Sequence, residues 1–391
     1  MTTTAVSPAL LTDPGLHADG DPHAVWRWMR AHAPVHRHEA AAELPAFWSL
    51  TRHGDIRAVY RDAATFSSAR GVLLRSGDDP GGGMTLALTD APRHKQLRGL
   101  MADWFNTRAV RGLEGYIRAA TRSVLGRAVE LGRCDFADDV AGRLSLSVIC
   151  HILGIPERDH EDLYRWTNEA FEAHTSLVSH PMLVEYFMEL LYQRMEEPTD
   201  DLVSALVNGT VGGELLTEEE AVFNCENLIG ATENGRLALI GGMQAFLEHP
   251  EQWQRLAADR SLMPGAIEEI LRWTSSATHS MRVATRPVEI RGTRIEAGDR
   301  VVLWLPSANR DEDVFTDPYV FDITRSPNRH IALAAGEHFC IGSTLARAEM
   351  RVLFTELLDT VGRIEQSGPV RRLRSIEVGG PESLPVRLTA K

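Results

Sequence analysis

The spacing of hydrophobic residues along the chain predicts a protein that is mainly helical. Between residues 108 and 195, apolar positions recur with the period of an α-helix, and the pattern breaks at Gly132 and at Gly154-Ile-Pro156. Short alternating or continuous apolar runs, such as residues 279–295 and 300–305, predict the strands of a small sheet. The fold class that follows is mainly α with a small β lobe.

A predicted helix from Thr217 to about Leu247 is apolar over most of its surface, and Thr217 and Glu220 form a capping box at its start. Its polar and small residues make two neighbouring rows at helical spacing: Glu226, Gly230 and Glu233, and Asn227, Ala231 and Asn234. A glycine inside a helix costs about 1 kcal/mol relative to alanine. Gly230 and Gly235 therefore indicate that another group approaches the helix closely, and a stripe that simply faces solvent is the alternative.

The loop from His330 to Gly342 delivers one cysteine, Cys340, to the start of a buried helix. Gly336 and Gly342 permit backbone geometry closed to other residues and close approach by a flat partner. A cysteine just before a helix N-terminus faces unpaired N–H groups and the positive end of the helix dipole, which favours its thiolate. A buried structural cysteine is the alternative. The spacings of c-type haem attachment and of structural zinc are absent, which leaves a catalytic thiol or a single axial thiolate on haem iron.

The segment Leu333-Ala-Ala-Gly-Glu-His-Phe-Cys-Ile-Gly342 resembles the cysteine loop of the cytochrome P450 family, Phe-Gly-x-Gly-x-His/Arg-x-Cys-x-Gly. Leu333 and Ala334 depart from that pattern, since they replace its aromatic residue and its first glycine. The resemblance implies that Cys340 is the axial ligand of haem b, held between the long central helix and the cysteine-loop helix. It also implies one domain over residues 21–391, after a flexible tail at residues 1–20.

Further motifs follow in the order of that family. Residues 89–98 are similar to Asp-Pro-Pro-x-His-x-x-x-Arg. On residue types alone, His94 and Arg98, four residues apart on one helix face, would by default be a surface pair. The residues implied to bind haem propionates are His94, Arg98, Arg282 and His338. Glu269 and Arg272 are similar to the structural Glu-x-x-Arg pair, and Arg325 is the candidate for the later arginine tied to it.

The long central helix contains the sharpest departure. Gly230-Ala-Thr-Glu-Asn234 stands where the family has Ala/Gly-Gly-x-Asp/Glu-Thr, whose acid and alcohol manage protons at bound dioxygen. The resemblance implies that Glu233 is the catalytic acid and that Gly230 and Ala231 face the porphyrin. Asn234 replaces the alcohol and has no proton that titrates near neutral pH. A substrate hydroxyl or an ordered water should then complete proton delivery.

The resemblance implies a haem-thiolate monooxygenase that uses dioxygen and electrons to hydroxylate a small organic substrate. Oxidative coupling or ring closure without oxygen insertion is the second hypothesis. A haem-based sensor would need no acid such as Glu233, and a cysteine hydrolase would have to use His338 beside Cys340, which is poor geometry for a base. Electrons should come from a ferredoxin or flavodoxin with its reductase, because the chain has no flavin or nicotinamide motif.

Composition restricts the partners and the compartment. The 391 residues carry a formal net charge of −13 and no basic run, which argues against nucleic-acid binding. No signal sequence and no apolar run of the roughly 18 residues needed to span a bilayer is present, so no membrane association is expected. Four widely spaced cysteines suit a reducing compartment, and we expect a soluble cytoplasmic enzyme.

The substrate is expected to be a mid-sized, largely apolar secondary-metabolite intermediate, free or bound to a carrier. The segments implied to form its pocket are residues 68–88, 171–178, 227–233 and 277–280, with the region near Leu384. The individual side chains expected to line it are Asn227, Ala277, Thr278, Ser280 and Leu384.

Overall fold

The computed structural model describes residues 7–41, 44–75, 77–172 and 180–391. Its α-helices are α1 (Pro14–Asp19), α2 (Pro22–His32), α3 (His53–Arg61), α4 (Arg93–Phe105), α5 (Thr107–Leu131), α6 (Arg143–Leu153), α7 (His160–Glu172), α8 (Pro181–Glu196), α9 (Leu202–Asn208), α10 (Glu218–Glu248), α11 (Pro250–Ala258), α12 (Met263–Thr274), α13 (Leu305–Ala308) and α14 (Ser343–Thr360). Its strands are β1 (Val35–His38), β2 (Phe47–Leu50), β3 (Phe66–Ser67), β4 (Arg133–Asp135), β5 (Thr210–Val211), β6 (Glu214–Leu215), β7 (His279–Ala284), β8 (Val288–Ile290), β9 (Thr293–Ile295), β10 (Arg300–Trp304), β11 (Val361–Gln366), β12 (Arg371–Arg372), β13 (Pro381–Ser383) and β14 (Pro385–Ala390). Long helices and short strands confirm the predicted fold class.

The chain forms two compact units, and each is built from separate stretches of sequence. The first unit comprises Met1–Gly82, Leu237–Cys340 and Gly368–Leu384. The second comprises Gly83–Arg236, Ile341–Ser367 and Pro385–Lys391. Helix α10 contributes residues to both.

A five-stranded sheet in the order β1-β2-β10-β7-β3 organises the first unit. Successive side chains of β10 alternate between two apolar clusters: Val301 and Leu303 join one that contains Tyr60, and Val302 and Trp304 join the other. Because both faces of β10 are covered, its sequence is continuously apolar rather than alternating.

The described part of the expected N-terminal tail is helical. Pro8–Thr12 forms a 3-10 turn, and α1 begins directly after Asp13, whose side chain accepts a hydrogen bond from the N–H of Gly15. Leu11 is fully buried in the apolar cluster of Trp304. From residue 8 onwards, this stretch therefore packs onto the first unit instead of forming a loose tail.

In the second unit, α5 packs against both α6 and α14. The Asn106 side chain caps α5 by accepting from the N–H groups of Arg108 and Ala109. Helices α5 and α6 end at Gly132 and Gly154, both in the left-handed conformation that favours glycine. The predicted helix breaks at these two glycines are confirmed.

Helix α10 begins as the sequence predicts. The N–H of Glu220 donates to Thr217 Oγ1 at 3.2 Å, and the N–H of Thr217 donates to Glu220 Oε2 at 2.9 Å. The helix runs without interruption to Glu248. This reciprocal pair confirms the predicted capping box.

Residues 371–378 and 383–388 have strand-like patterns joined across Gly379-Gly-Pro381, which predict a terminal hairpin, but most of that pairing does not form. β12 pairs with β13 only over Arg371–Ser383 and Arg372–Pro381. β14 instead lies between β11 and β4 in a three-stranded sheet of the second unit.

Across the described part of the chain, we found no helix with the length and apolar character needed to cross a bilayer.

Candidate functional site

The cysteine loop of the first unit is shaped by a glycine. Gly336 has φ of +72°, and a Cβ atom there would overlap the backbone carbonyl oxygen of Tyr60. The N–H of Cys340 donates to the carbonyl oxygen of Leu333 at 3.0 Å and closes the loop. Cys340 is partly exposed and lies three residues before the first residue of α14. The loop therefore fixes the backbone of Cys340 and leaves this residue partly exposed.

The other cysteines occupy environments that disfavour a thiolate. Cys150 and Cys225 are buried inside α6 and α10, and burial raises the pKa of both thiols well above the usual range. Burial, followed by the charges of Asp139 and Asp135, raises the pKa of Cys134 to about 12. All four cysteines are free of disulfides. Unlike Cys150 and Cys225, Cys340 is partly exposed, and unlike Cys134, which lies in strand β4, it lies just ahead of α14.

The arginine predicted to meet a propionate, Arg282, lies on β7 and is buried. In the register of the sheet it pairs with Val301, so its side chain shares the sheet face that packs on Tyr60. Its guanidinium lies 5.3 Å from the centre of the Tyr60 ring and donates to Ser280 Oγ at 2.9 Å. Burial raises the pKa of Tyr60, so its hydroxyl stays neutral beside this cation. The first unit therefore groups Arg282, Ser280 and Tyr60.

His338 also belongs to the first unit and lies on the 3-10 turn Gly336–His338 of the cysteine loop. Its Nε2 is 3.3 Å from Ser68 Oγ, and Ser68 is fully buried. This contact links the cysteine loop to residues 68–88, one of the segments predicted to form the pocket. Residues 173–178 of the predicted pocket segment 171–178, and Ser76, lie outside the described residues.

The remaining pocket candidates of the first unit divide by exposure. Ala277 and Ser280 keep accessible surface, whereas Thr278 and Leu384 are buried. The N–H of Thr278 donates to the carbonyl oxygen of Glu377 at 3.0 Å, and Ala277 bridges to Val378. The backbone at residues 277–278 is therefore fixed by the loop that precedes β13.

The Glu-x-x-Arg pair and its candidate partner come together in the first unit. Arg272 Nε and Nη2 donate to the two carboxylate oxygens of Glu269 at 2.8 and 2.7 Å, and both residues are fully buried. Arg325 Nε donates to Glu269 Oε2 at 3.1 Å. Arg272 also donates to three backbone carbonyl oxygens, those of Asn309, Pro318 and Val320. This network fixes the irregular segment ahead of the cysteine loop.

His94 and Arg98 lie one turn apart on α4 in the second unit, as the spacing predicts. His94 is buried, and Arg98 is partly exposed. The N–H of His94 donates to the carbonyl oxygen of Asp90 at 3.0 Å, which starts the helix. The buried imidazole and the more accessible guanidinium thus face the same side of α4.

The predicted catalytic acid, Glu233, is held in an ion pair that was not predicted from the sequence. Arg236, three residues later on α10, donates from Nε and Nη2 to both carboxylate oxygens at 2.7 and 2.8 Å. Arg236 Nη1 lies 3.8 Å from Asp138 Oδ1 near the surface. Burial alone would lower the pKa of Arg236, but its hydrogen bonds and charge contact with Glu233 raise that pKa overall. The i, i+3 spacing of Glu and Arg was the available signal.

Helix α10 has one open face between residues 223 and 234. Asn227, Gly230 and Asn234 are partly exposed, and Ala231 is exposed. Glu233, which we had placed on the same polar stripe, is buried. The row Asn227, Ala231 and Asn234 is thus accessible, while the acids beside it are not.

Two further carboxyl groups of the second unit are buried and had no predicted role. Glu226, on α10, is 1% exposed, and burial raises its pKa to about 8. Glu349, on α14, is 5% exposed, and burial outweighs a hydrogen bond with Ser145 to raise its pKa to about 8. A Cβ atom on Gly235 would lie 3.9 Å from Glu349 Oε2. Both acids are therefore predominantly protonated at neutral pH.

A separate cavity of about 450 Å³ lies in the second unit, with Tyr116, Arg127, Arg143 and Tyr164 in its wall. None of the predicted site residues lines it. Among the described residues, no group of three or more His, Cys, Asp or Glu side chains has the arrangement of a metal site.

The residues present fit the haem that the sequence resemblance implies. Gly230 and Ala231 leave a nearly flat, accessible patch on α10, which a planar ring system can approach. Cys340 offers a soft sulfur donor on a loop that tolerates no side chain at Gly336. The cationic side chains Arg98 and Arg282 suit carboxylate groups.

Comparisons with known proteins point to one family. Residues 244–361 match the sequence model of the Cytochrome P450 family. The chain is 37% identical to Cytochrome P450 NovI of Streptomyces niveus, over 97% of this chain and 96% of that protein. It is 34% identical to a steroid C26-monooxygenase of Mycolicibacterium smegmatis, over 95% and 94% of the two chains.

A solved structure is similar over the same extent. The crystal structure of P450 OxyD, involved in the biosynthesis of vancomycin-type antibiotics, matches with a TM-score of 0.90 and 35% identity. The match covers 97% of this chain and 99% of that one. Full-length identity above 30% and a shared fold leave one assignment: the chain belongs to the cytochrome P450 family, has the P450 fold, and is a monooxygenase whose cofactor is haem iron.

Proposed function

We propose that this monooxygenase binds haem b with the Cys340 thiolate as the axial iron ligand and hydroxylates a small secondary-metabolite substrate. The observation that carries the proposal is the position of Cys340, accessible on a glycine-shaped loop directly before α14. The helix N-terminus favours the thiolate electrostatically. A thiolate ligand donates electron density that favours cleavage of the dioxygen bond.

The propionates of the haem would be held by His94, Arg98, Arg282 and His338. Arg282 supports this role because it is buried and its guanidinium is oriented by Ser280 and Tyr60. Arg98 keeps accessible surface for a charged partner. Charge-assisted hydrogen bonds of this kind are shorter and stronger than neutral ones, so they would fix the cofactor in one orientation.

Proton handling falls to Glu233 and Asn234. When bound, the haem iron activates dioxygen, and this chemistry consumes protons. Glu233 can accept or deliver a proton only when its ion pair with Arg236 opens, because both carboxylate oxygens are engaged. Asn234 can hold a water or a substrate hydroxyl but has no proton of its own to give. Asn234→Ala is expected to divert turnover towards hydrogen peroxide, measured as peroxide released per electron pair consumed.

Relatives in bacteria depend on a redox partner for electrons. We infer that the partner here is a ferredoxin or a flavodoxin with its reductase, since the sequence holds no flavin or nicotinamide motif. A cytoplasmic location agrees with four cysteines that form no disulfide. Reconstitution with each carrier protein, scored by the rate of haem reduction, distinguishes the two partners.

Oxidative coupling without oxygen insertion is the second candidate, and the observation that favours it is Asn234 in place of an alcohol. Turnover under labelled dioxygen separates the two outcomes. Label in the product supports hydroxylation, and a coupled or ring-closed product without label supports the alternative. We favour hydroxylation because the acid position, Glu233, is filled and a substrate hydroxyl is the simplest substitute proton donor.

Electron paramagnetic resonance of the ferric protein tests the role of Cys340. The wild type should give the low-spin spectrum with small g-anisotropy that thiolate ligation produces. Cys340→Ser should lose that spectrum, whereas Cys134→Ser, which removes another partly exposed thiol, should keep it. A thiolate spectrum that persists in Cys340→Ser would overturn the assignment.

A further inference from the structure

The open face of α10 in the second unit extends over about three turns. Phe223, Asn227, Gly230 and Asn234 recur along it at helical spacing and keep partial exposure. The other faces of the same stretch are covered, as the buried side chains of Cys225 and Ile229 illustrate. An accessible face on a helix that is otherwise buried offers room for a bound molecule.

Glu226 lies at the border of this face, beside Asn227 and one turn before Gly230. Its side chain is 1% exposed. Among the described residues, neither Oε1 nor Oε2 of this carboxyl has a hydrogen-bond partner. Gly230, one turn later on the same row, has no side chain that could cover Glu226.

The neighbouring polar residues of α10 show how such groups are normally satisfied. Asn224 donates to the carbonyl oxygens of Met84 and Glu220 and accepts from the N–H of Leu86. Glu233 is bound at both oxygens by Arg236. Glu226 has no such partner among the described residues, and leaving a buried carboxyl unsatisfied is costly to the folded state.

A cationic partner fits Glu226 best, because its binding would ionise the carboxyl group, which then accepts hydrogen bonds at both oxygens. Within the described part of the chain no Lys, Arg or His forms an ion pair with Glu226. Burial is the cause of its raised pKa of about 8, with no compensating cation. A cationic donor would stabilise the ionised form of Glu226 and satisfy both of its oxygens, which a neutral donor does less well.

We propose that Glu226 is a specificity-determining residue that binds a protonated amine on a substrate lying along the open face of α10. This inference rests on the proposed monooxygenase function and narrows its substrate class to amine-bearing molecules. The amine would occupy the site that leaves Glu226 unsatisfied in the free protein. Binding of the amine by Glu226 would then fix the distance between the amine nitrogen and the carbon that is oxidised.

Matched probe pairs test the proposal on the haem-loaded enzyme. The pairs are N,N-dimethyldecylamine with 1-decanol, and N,N-dimethyl-4-phenylbutylamine with 4-phenylbutanol, because a crowded tertiary nitrogen is a poor ligand for iron. Dissociation constants are measured by titration calorimetry at pH 7. In at least one pair, the wild type should bind the ammonium probe at least tenfold more tightly than its alcohol.

Glu226→Gln keeps the shape of the side chain and should reduce that preference to about one. Glu219→Gln makes the same change two turns earlier on α10, at an exposed position, and should leave the preference intact. Equal binding of amine and alcohol by the wild type, or an unchanged preference in Glu226→Gln, would overturn the proposal. A reduced-CO difference spectrum of the same preparation identifies a failure of the haem-thiolate assignment separately.

Discussion

The carboxylate of Glu269 accepts hydrogen bonds from Arg272, Arg325, Asn328 and the N–H of Asp322 in a site closed to solvent. A buried charge of this kind is tolerated only when its partners are complete. The pair Glu269 and Arg272 was predictable because its spacing lies within one helix. Arg325 joins them from a distant segment, and only its order in the sequence pointed to it.

Glu269→Ala should lower the free energy of unfolding by about 3–5 kcal/mol, because it leaves the buried Arg272 without its carboxylate. Denaturant unfolding followed by circular dichroism measures the change. Glu296→Ala provides the control, since Glu296 pairs with Arg294 on the exposed surface and such pairs contribute about 0–1 kcal/mol. Equal losses in the two variants would contradict a special role for the buried network.

The buried acid Glu349 makes stability depend on pH. Its folded-state pKa of about 8 lies above the ordinary glutamate value, so between about pH 4.5 and 8 the folded state holds a proton that the unfolded state has lost. Stability should therefore fall as pH rises through this window, by at most about 1.4 kcal/mol per pH unit for this group.

Glu349→Gln removes the titrating proton and keeps the side-chain shape, so the variant should lose less stability than the wild type between pH 5 and 8. Denaturant unfolding at several pH values measures the difference. Glu219→Gln, which changes an exposed glutamate, should follow the wild type. Parallel curves for the wild type and Glu349→Gln would show that Glu349 is ionised in the folded protein.

The residue-scale features that the sequence could not reveal depend on three-dimensional burial. Glu226 and Glu233 belong to the same predicted row of α10, yet one has no partner in the described structure and the other is paired with Arg236. Helical spacing gives the face on which a side chain lies but not the depth to which neighbouring elements bury it.

At the scale of elements, local signals predicted structure well. The turn between β8 and β9 has Arg291 and Gly292 at φ of +52° and +75°, and the glycine of Gly292-Thr293 is a local turn signal in the sequence. Helix ends at Gly132 and Gly154 were equally local. The pairing of β14 with β11 and β4 could not be predicted from local signals. An alternating pattern shows that a strand has two faces but not which strand lies beside it.

Two glycines with similar backbone angles allow a controlled test of the cysteine loop. Gly336→Ala should lower both the melting temperature and the haem-to-protein ratio, because its Cβ would overlap the Tyr60 carbonyl oxygen as well as strain the backbone. Gly292→Ala adds a Cβ at φ of +75° with no atom within 4 Å, so it should cost about 1 kcal/mol and leave haem content unchanged.

Haem content is read from the ratio of Soret to protein absorbance, and stability from thermal unfolding. Loss of haem in Gly292→Ala to the same extent as in Gly336→Ala would mean that backbone strain alone explains the effect. Full haem content in Gly336→Ala would show that the loop does not depend on this close approach.

At the scale of the whole molecule, the chain is divided in a way that composition does not reveal. Of the five boundaries between the two compact units, one falls inside α10, between Arg236 and Leu237, where the sequence has no linker character. Another falls between Gly82 and Gly83 in a glycine-rich stretch, so composition alone does not locate the division. A single domain over residues 21–391 therefore stays a prediction, while the family is established by similarity along nearly the whole chain.

The central claim is that Cys340 binds haem iron as a thiolate, and a reduced-CO difference spectrum tests it most directly. Dithionite-reduced, fully haem-loaded protein treated with carbon monoxide should show the long-wavelength Soret band characteristic of thiolate ligation. Cys340→His should move the band to the shorter wavelength of an imidazole-ligated haem, and Cys134→Ser should leave it in place. A fresh wild-type preparation without the long-wavelength band, or Cys340→His with the band retained, would contradict the account.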